Sequence, residues 1–141
     1  MTAPMPLSDL YMVLMTNRLE ETLAFYKTWF GFEPLFSSSW FHYMQSAGER
    51  PFGLALMDEN HPSHPPVLPA FSSQSGVFLT LQVEDAQSEF TRLKEAGCPI
   101  VHGLKDEAWG QRRFSVLDPN GLFIDVVQQI EPQEGFWDAY M

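Results

Sequence analysis

The chain has 141 residues, 45% of them hydrophobic and 14% aromatic, a composition suited to one folded core and too apolar for a disordered segment. Eight basic residues against eighteen acidic ones give a net charge of −10, which argues against a nucleic-acid partner because phosphate binding needs a basic surface. No apolar run suits a transmembrane helix, and no basic-then-apolar segment marks a secretion signal. The lone cysteine, Cys98, excludes an internal disulfide and fits a reducing cytoplasm.

The first half predicts one helix among four strands. After a loose lead-in, alternation predicts a strand over Leu10 to Thr16, and helical spacing predicts a helix from Leu19 to Trp29. Asn17 is the expected N-cap and Gly31 the expected stop. Three further strands follow, at about Glu33 to Ser37, Trp40 to Gln45 and Phe52 to Met57.

Residues 58 to 75 hold four prolines and no periodic pattern, which predicts a linker over the surface. His61 and His64 lie inside it. Their spacing is only superficially that of a metal pair, because no carboxylate scaffold accompanies them, and a solvated loop is the favoured interpretation.

The second half repeats the pattern. We expect a strand over Val77 to Val83, a helix over Ala86 to Ala96 ended by Gly97, a short strand at Ile100 to His102, and a loop through Trp109 and Gly110. The tail, residues 131–141, is acidic and irregular. Its aromatic residues, Phe136, Trp137 and Tyr140, are candidates to anchor it on a surface.

The segment Phe114 to Gln128 predicts a hairpin. Its centre, Asp118-Pro119-Asn120-Gly121, combines the residues that tight turns favour. Asp125 is the one charge in the second strand, and alternation places it on one face with Phe123 and Val127. Two alternatives stay open here: a carboxylate in a partly apolar cavity, or an edge strand with Asp125 in water.

The two halves form an internal repeat. Met12 to Gly31 and Leu79 to Gly97 both run strand, helix, glycine, at an offset of about 67 residues, and such periodicity is a strong fold signal. We therefore expect an α+β fold of two β-α-β-β-β modules, at about residues 7–58 and 76–130. The linker is 59–75, and together the modules form one domain, 7–130. Helices lie outside and a cup lies between the sheets.

The paired halves, the stretch LEETLAFYKTWFGFEPL from Leu19 to Leu35, and DPNGLFIDVVQ from Asp118 to Gln128 resemble the vicinal oxygen chelate superfamily. This group includes glyoxalases, extradiol dioxygenases and bleomycin-resistance proteins. The resemblance covers residues 7–130 and is nearest to the bleomycin-resistance-like members. It implies the fold and a homodimer, and leaves the reaction open because the fold hosts several chemistries and some pure binders.

Metal-using members of this superfamily place His, Gln or Glu ligands on the first strand and the last two strands of each half. By position, the equivalents here are Tyr11, Phe78, Asp125 and either Ala55 or Leu56. Only Asp125 suits a hard cation, and a mononuclear site needs three or more protein ligands. We therefore expect no metal site and no cofactor.

The cup-facing set is apolar and aromatic with a few polar groups, as in small-molecule pockets. By the resemblance, Trp109 lines the groove, and Arg112 or Arg113 pairs with a ligand anion or with Asp125. For the third strand, whether Phe41 and Tyr43 or Trp40 and His42 face the cup stays open. The expected ligand-binding residues are Tyr11, Val13, Phe78, Thr80, Trp109, Arg112, Phe123 and Asp125.

Three functions remain in play. The leading hypothesis is a metal-free protein that sequesters an aromatic or amphipathic small molecule. The second is a metal-dependent lyase or dioxygenase whose ligands are Asp125 with His42, or come from a partner chain. The third is a cofactor-free isomerase or epimerase in which Asp125 and Tyr11 are catalytic. Both residues also have a purely structural interpretation. Asp125 is then a relic carboxylate bonded to Tyr11 or an arginine, and Tyr11 is an aromatic side chain that fills the cavity.

Overall fold

The computed structural model describes residue 4, residues 6–60 and residues 77–141. The chain divides into two compact units, Met1–Phe71 and Ser72–Met141, and each is described by itself. Most of the predicted linker, including His61 and His64, lies outside the described residues. Its first residue, Asp58, ends a strand.

The first unit is a β-α-β-β-β module. Its four strands form one sheet in the order β1-β4-β3-β2, in which β1 runs parallel to β4 and the other pairs are antiparallel. The predicted elements are confirmed to within two residues at each end. They are β1 (Met12–Thr16), α1 (Leu19–Phe30), β2 (Glu33–Ser37), β3 (Phe41–Gln45) and β4 (Gly53–Asp58).

The ends of α1 show one correct prediction and one wrong one. Gly31 ends the helix with φ of 71°, a left-handed conformation that glycine adopts without a steric cost. Asn17 is not the N-cap: that position is Arg18, whose side chain makes no capping bond. Instead the buried hydroxyl of Thr16 accepts a hydrogen bond from the backbone N–H of Arg18 at 3.0 Å, so the last residue of β1 satisfies one backbone N–H at the start of the helix.

The second unit has the same topology, which confirms the predicted repeat. Its sheet order is β5-β8-β7-β6, again with one parallel pair, β5 with β8. Its elements are β5 (Leu79–Gln82), α2 (Ala86–Glu95), β6 (His102–Glu107), β7 (Gln111–Leu117), β8 (Phe123–Gln129) and a 3₁₀ turn (Phe136–Ala139).

Helix α2 is capped at both ends by its own sequence. The Asp85 carboxylate accepts from the Ser88 backbone N–H at 3.1 Å, and the bonds with Ser88 lower the pKa of this carboxyl. At the other end Gly97 has φ of 89°, and the Cys98 N–H donates to the Leu93 carbonyl at 2.9 Å, which completes a Schellman-type stop.

The prediction for β6 is wrong in extent. The strand begins at His102, where the predicted one ended, and continues to Glu107. It lies at the edge of the sheet, where a strand needs no continuous apolar pattern, so its charged sequence resembled a loop. Cross-strand ion pairs support it instead, such as Asp106 with Arg112 at 2.6 Å.

The predicted hairpin is confirmed and forms the centre of the second unit. The buried Asp118 carboxylate accepts hydrogen bonds from the backbone N–H groups of Asn120 at 2.8 Å and Leu122 at 2.9 Å. Gly121 takes φ of 82°. Phe114 of β7 is buried and its ring lies 5.4 Å from that of Phe90 on α2, so one face of the hairpin forms the core beneath the helix.

The tail packs against the turn that joins β6 to β7. Ile130 and Gln133 donate backbone hydrogen bonds to the carbonyls of Gly110 and Ala108, each at 2.9 Å. The Trp137 indole N–H donates to the Trp109 carbonyl at 3.1 Å. Trp137 is therefore an anchor of the tail, as predicted.

Neither helix in the described part of the chain is long and apolar enough to cross a membrane.

Replacing Asp118 with alanine removes the acceptor of two backbone N–H groups in a buried turn. We expect the free energy of unfolding to fall by about 1–3 kcal/mol, the usual cost of unsatisfied buried donors, measured by urea denaturation. The matched control is Asp9→Ala, which removes a carboxylate that accepts from an exposed backbone N–H, that of Leu10, where water replaces the lost bond. Equal losses in the two variants would contradict the role given to Asp118.

Candidate functional site

Each sheet has one face that points away from the helix of its own unit, and we call this the distal face. In the second sheet, Phe114 faces α2, so its neighbour Ser115 points to the distal face. Asp125 lies opposite Ser115 in the β7–β8 register, and opposite residues share a face. Asp125 is therefore a distal-face residue, on the same side as Phe123 and Val127, as alternation predicted.

Asp125 is buried and paired. It lies on β8, an interior strand of the sheet, and is 4% exposed, so the alternative of an edge strand in water is wrong. The Ser115 hydroxyl donates to its Oδ1 at 2.8 Å, and Arg113 Nη1 donates to its Oδ2 at 3.1 Å. The expectation of an arginine partner is confirmed, and the arginine is Arg113.

Arg113 joins two buried carboxylates. Its Nε donates to Glu107 Oε2 at 2.9 Å and its Nη2 lies 2.8 Å from the same oxygen, while Lys105 Nζ lies 3.4 Å from Glu107 Oε1. Burial alone raises the pKa of the Glu107 carboxyl, but the hydrogen bond and charge of Arg113, with help from Lys105, outweigh it and hold that pKa below its usual value. Burial likewise lowers the pKa of Arg113, but its bonds to Glu107 and Asp125 prevail and raise it. Both shifts favour the charged forms of Glu107 and Arg113.

Trp109 completes this cluster. The Arg113 guanidinium carbon lies 5.1 Å from the centre of the Trp109 ring, within the range of a cation–π interaction. The Trp109 indole N–H donates to Gln111 Oε1 at 2.9 Å, which orients the ring. Trp109 thus lies beside the charged groups, and its role in lining a ligand groove stays a prediction.

The structure separates Arg112 from this group. Arg112 pairs with Asp106 through Nε at 2.6 Å and lies opposite Gln128, whose side chain accepts from the Ala86 N–H of α2. Arg112 therefore lies on the helix side of the sheet, and Arg113 stands where Arg112 was expected. Ser115 and Asp125 are partners across the turn and share a face. Arg113 lies two residues before Ser115 and therefore has that face as well. Counting residues from the turn would have shown this in the sequence.

The three remaining predicted residues of the second unit, Phe78, Thr80 and Phe123, share the distal face. Thr80 lies opposite Asp125 on β5. The rings of Phe78 and Phe123 meet edge to face at 5.8 Å, and Phe78 is 57% exposed. Glu107, Ser115 and Lys105 also belong to this face and were not predicted, because their contribution depends on pairing between strands.

In the first unit, Tyr11 and Val13 point to the distal face of the first sheet. Val13 lies opposite Ala55, which lies opposite Tyr43, and the Tyr11 ring meets the Tyr43 ring at 5.2 Å. Tyr11 and Val13 are 46% and 41% exposed.

His42 points the other way, which settles the open question about β3. Its Nε2 lies 2.7 Å from Glu20 Oε2 of α1, and its Nδ1 lies 2.9 Å from the Ser37 hydroxyl. Phe41 and Tyr43 are therefore the distal-face pair, and His42 ties α1 to the sheet with both ring nitrogens engaged.

The positions at which a metal would be expected do not fit one. Ala55, rather than Leu56, is the distal-face residue of β4, and neither it nor Phe78 offers a donor atom. Asp125 already binds Arg113 and Ser115, and His42 faces α1. Across residues 4, 6–60 and 77–141, no three His, Cys, Asp or Glu side chains are arranged to hold a metal ion.

A surface depression of about 690 Å³ lies along α2, lined by Gln87, Ser88, Thr91, Arg92, Glu95 and Ala96. The residues that line this depression include no aromatic side chain and no buried charge. We therefore take the distal face of the second sheet as the candidate site.

Residues 10–126 match the profile of the Glyoxalase/Bleomycin resistance protein/Dioxygenase superfamily. The match spans most of the chain, and the protein belongs to this superfamily. Its two β-α-β-β-β units are the α+β fold expected of it. Among curated proteins, no sequence is similar enough to count as a match.

Solved structures show the same fold. A glyoxalase/bleomycin resistance protein/dioxygenase from Nocardioides aligns with a TM-score of 0.74 and 22% identity, over 95% of this chain and 91% of that one. A lactoylglutathione lyase from Agrobacterium tumefaciens gives 0.66 and 19%, over 88% and 96%. A bleomycin resistance determinant encoded on the transposon Tn5 gives 0.64 and 19%, over 87% and 98%. At these identities the likeness concerns the fold.

Replacing Arg113 with leucine leaves Asp125 and Glu107 buried without their shared cation. Removing one partner of a fully buried pair costs about 3–5 kcal/mol; because Arg113 is partly exposed, we expect a loss of about 2–4 kcal/mol in the free energy of unfolding, measured by urea denaturation.

Arg112→Leu is the matched control, since it removes a neighbouring arginine whose partner is exposed, and it should change stability little. Adding Asp125→Asn to Arg113→Leu should recover part of the loss. Equal effects of the two arginine substitutions would contradict the central role of Arg113.

Proposed function

We propose that this protein binds a small aromatic or amphipathic molecule on the distal face of the second sheet, without a metal ion, and acts by sequestering it. The observation that carries the proposal is the fixed position of Arg113. Two carboxylates and a tryptophan ring hold its guanidinium, yet its side chain keeps 22% of its surface exposed.

Arg113 can donate hydrogen bonds to a ligand from a side chain that is already held in place. Nη1 and Nη2 each carry a second N–H besides those that meet the carboxylates, and these can donate to a ligand oxygen. Because Glu107, Asp125 and Trp109 already hold the guanidinium, binding adds little cost of ordering that side chain.

The apolar part of the site consists of aromatic rings on the same face. Phe78 and Phe123 form an edge-to-face pair, and more than half of the Phe78 surface is exposed although it is a large apolar side chain. Apolar walls with a few fixed polar groups are the usual composition of a small-molecule site.

Sequestration is favoured over catalysis by the state of Asp125. A general base must reach the proton that it abstracts, whereas Asp125 is 4% exposed and both its oxygens accept hydrogen bonds within the protein. This weakens the isomerase hypothesis. The donor set described above likewise weakens a metal-dependent lyase or dioxygenase.

We further propose a cytoplasmic homodimer. The cytoplasmic location is supported by Cys98, a free and buried thiol whose pKa is raised by burial. Dimerisation is supported by β1, an edge strand in which Val13 is exposed, and by Tyr11, which is exposed just before it, since such apolar edges suit a second protein surface.

Binding can be tested by thermal shift with cationic antibiotics, aromatic catabolites and thiol conjugates. A ligand of this face should raise the melting temperature of the parent and raise that of Trp109→Ala much less. The Trp109 carbonyl survives this substitution, so the bond from Trp137 to the turn is retained.

Trp40→Ala, in the first unit, is the matched control and should keep the full shift. If every stabilising compound acts equally on parent and Trp109→Ala, the site does not lie where we propose.

The metal-free part of the proposal has its own test. Protein purified without chelator should contain far less than one equivalent of zinc, nickel, manganese or iron, because Ala55 and Phe78 lack donor atoms and Asp125 is already bonded to Arg113 and Ser115. The measurement is elemental analysis by plasma mass spectrometry. A stoichiometric metal that Asp125→Asn removes would overturn this part and favour the enzyme alternative.

A further inference from the structure

A row of four polar residues crosses the distal face of the second sheet. Thr80 lies opposite Asp125, Asp125 opposite Ser115, and Ser115 opposite His102. Since opposite residues share a face at Cβ separations of about 4.5–5.5 Å, the row runs from one edge strand to the other. His102 therefore belongs to the same surface as Asp125.

His102 is the unsatisfied member of this row. Its Nδ1 is buried and has no hydrogen-bond partner, and it is the single buried side-chain nitrogen or oxygen of the described residues in this condition. A buried donor or acceptor without a partner costs about 1–3 kcal/mol, so each such atom calls for an explanation.

The first unit shows that the fold does not require a histidine there. Its corresponding row is Val13, Ala55, Tyr43 and Phe36, and Phe36 lies opposite Tyr43 as His102 lies opposite Ser115. Both edge strands also have a register shift next to this position. Since one copy of the module accepts an apolar ring at this place, the shared topology does not require the imidazole of the other.

The charges of this face indicate what the imidazole meets. Asp125 and Glu107 are balanced by Arg113 and Lys105. A charged ligand group beside these four residues would add an unbalanced charge next to a buried carboxylate, and burying an unbalanced charge is costly. A hydroxyl or an amide is neutral and can both donate and accept, so it suits Nδ1 in either tautomer.

We infer that His102 is a ligand-contacting residue, and that the ligand presents a neutral hydroxyl or amide to its Nδ1. This rests on the proposed function and names the polar group of its ligand. Phe123 precedes Asp125 by two residues on the same strand face, about 7 Å along the strand, and His102 lies two strands away from β8, about 10 Å across the sheet. The ligand's apolar part therefore extends from His102 toward Phe78 and Phe123.

Three planar probes of one shape test this inference: benzamide, which is neutral, benzamidine, a cation, and benzoate, an anion. Each is titrated at millimolar concentration into protein with ¹⁵N-labelled histidine, and the His102 ring signals are assigned from His102→Phe. Benzamide should shift these signals and should bind more tightly than either charged probe.

His102→Phe copies the ring found at Phe36 and removes both nitrogens. It should weaken benzamide binding by about three- to tenfold, the value of one hydrogen bond, while Asp106→Asn, an exposed change on the helix side of the same strand, should not. The inference is overturned if benzamide does not bind, if it binds equally to His102→Phe and the parent, or if it binds more weakly than a charged probe. In that case the partner of His102 Nδ1 is water. The proposed function fails separately, when no compound depends on Trp109.

Discussion

A carboxylate placed inside a sheet needs a partner, and in this protein the bond between Asp125 and Arg113 meets that need. An unpaired charge in such a position is costly, so the hairpin register that sets Ser115 opposite Asp125 also has to bring a cation close. Arg113, two residues earlier on β7, reaches back to Asp125 and outward to Glu107 on β6. One guanidinium thereby links three neighbouring strands, and the ring of Trp109 covers it.

The duplicated module separates what the fold requires from what the site adds. Both units build the same strand order around one helix, yet their distal faces differ in chemistry at equivalent positions. Where the first sheet has Ala55 and Tyr43, the second has Asp125 and Ser115. Polar groups at these positions are therefore additions to a framework that folds without them, which is how one fold carries many functions.

Local chemistry made much of the fold predictable from the sequence. The stops at Gly31 and Gly97 and the turn at Asp118 depend on the conformational preferences of single residues, and all of them were found. Asn17 was a plausible cap by type, but Thr16 was already buried beneath the helix, which depends on tertiary packing. Strand β6 was predicted with the wrong extent because an edge strand tolerates charge along its length.

The site was less predictable for a related reason. Asp125 was recognisable as a charge in an apolar strand, and Trp109 through a family likeness. The contacts of Arg113, Glu107 and His102 form only when strands distant in sequence lie side by side. No sequence pattern predicts that a histidine nitrogen such as that of His102 lacks a hydrogen-bond partner. Counting alternate residues from the turn at Asp118 would have placed Arg113, and not Arg112, on the face of Asp125. No such pattern in the sequence identifies Glu107.

The packing of the tail has a practical bearing on how fragments of this protein are chosen. The superfamily match ends at residue 126, inside β8, whereas the backbone bonds to the β6–β7 turn come from Ile130 and Gln133 and the indole bond from Trp137. A clone trimmed to the matched boundary would truncate the middle of a strand and strip the support from behind Trp109. Expression limits for this domain should therefore be drawn beyond Trp137.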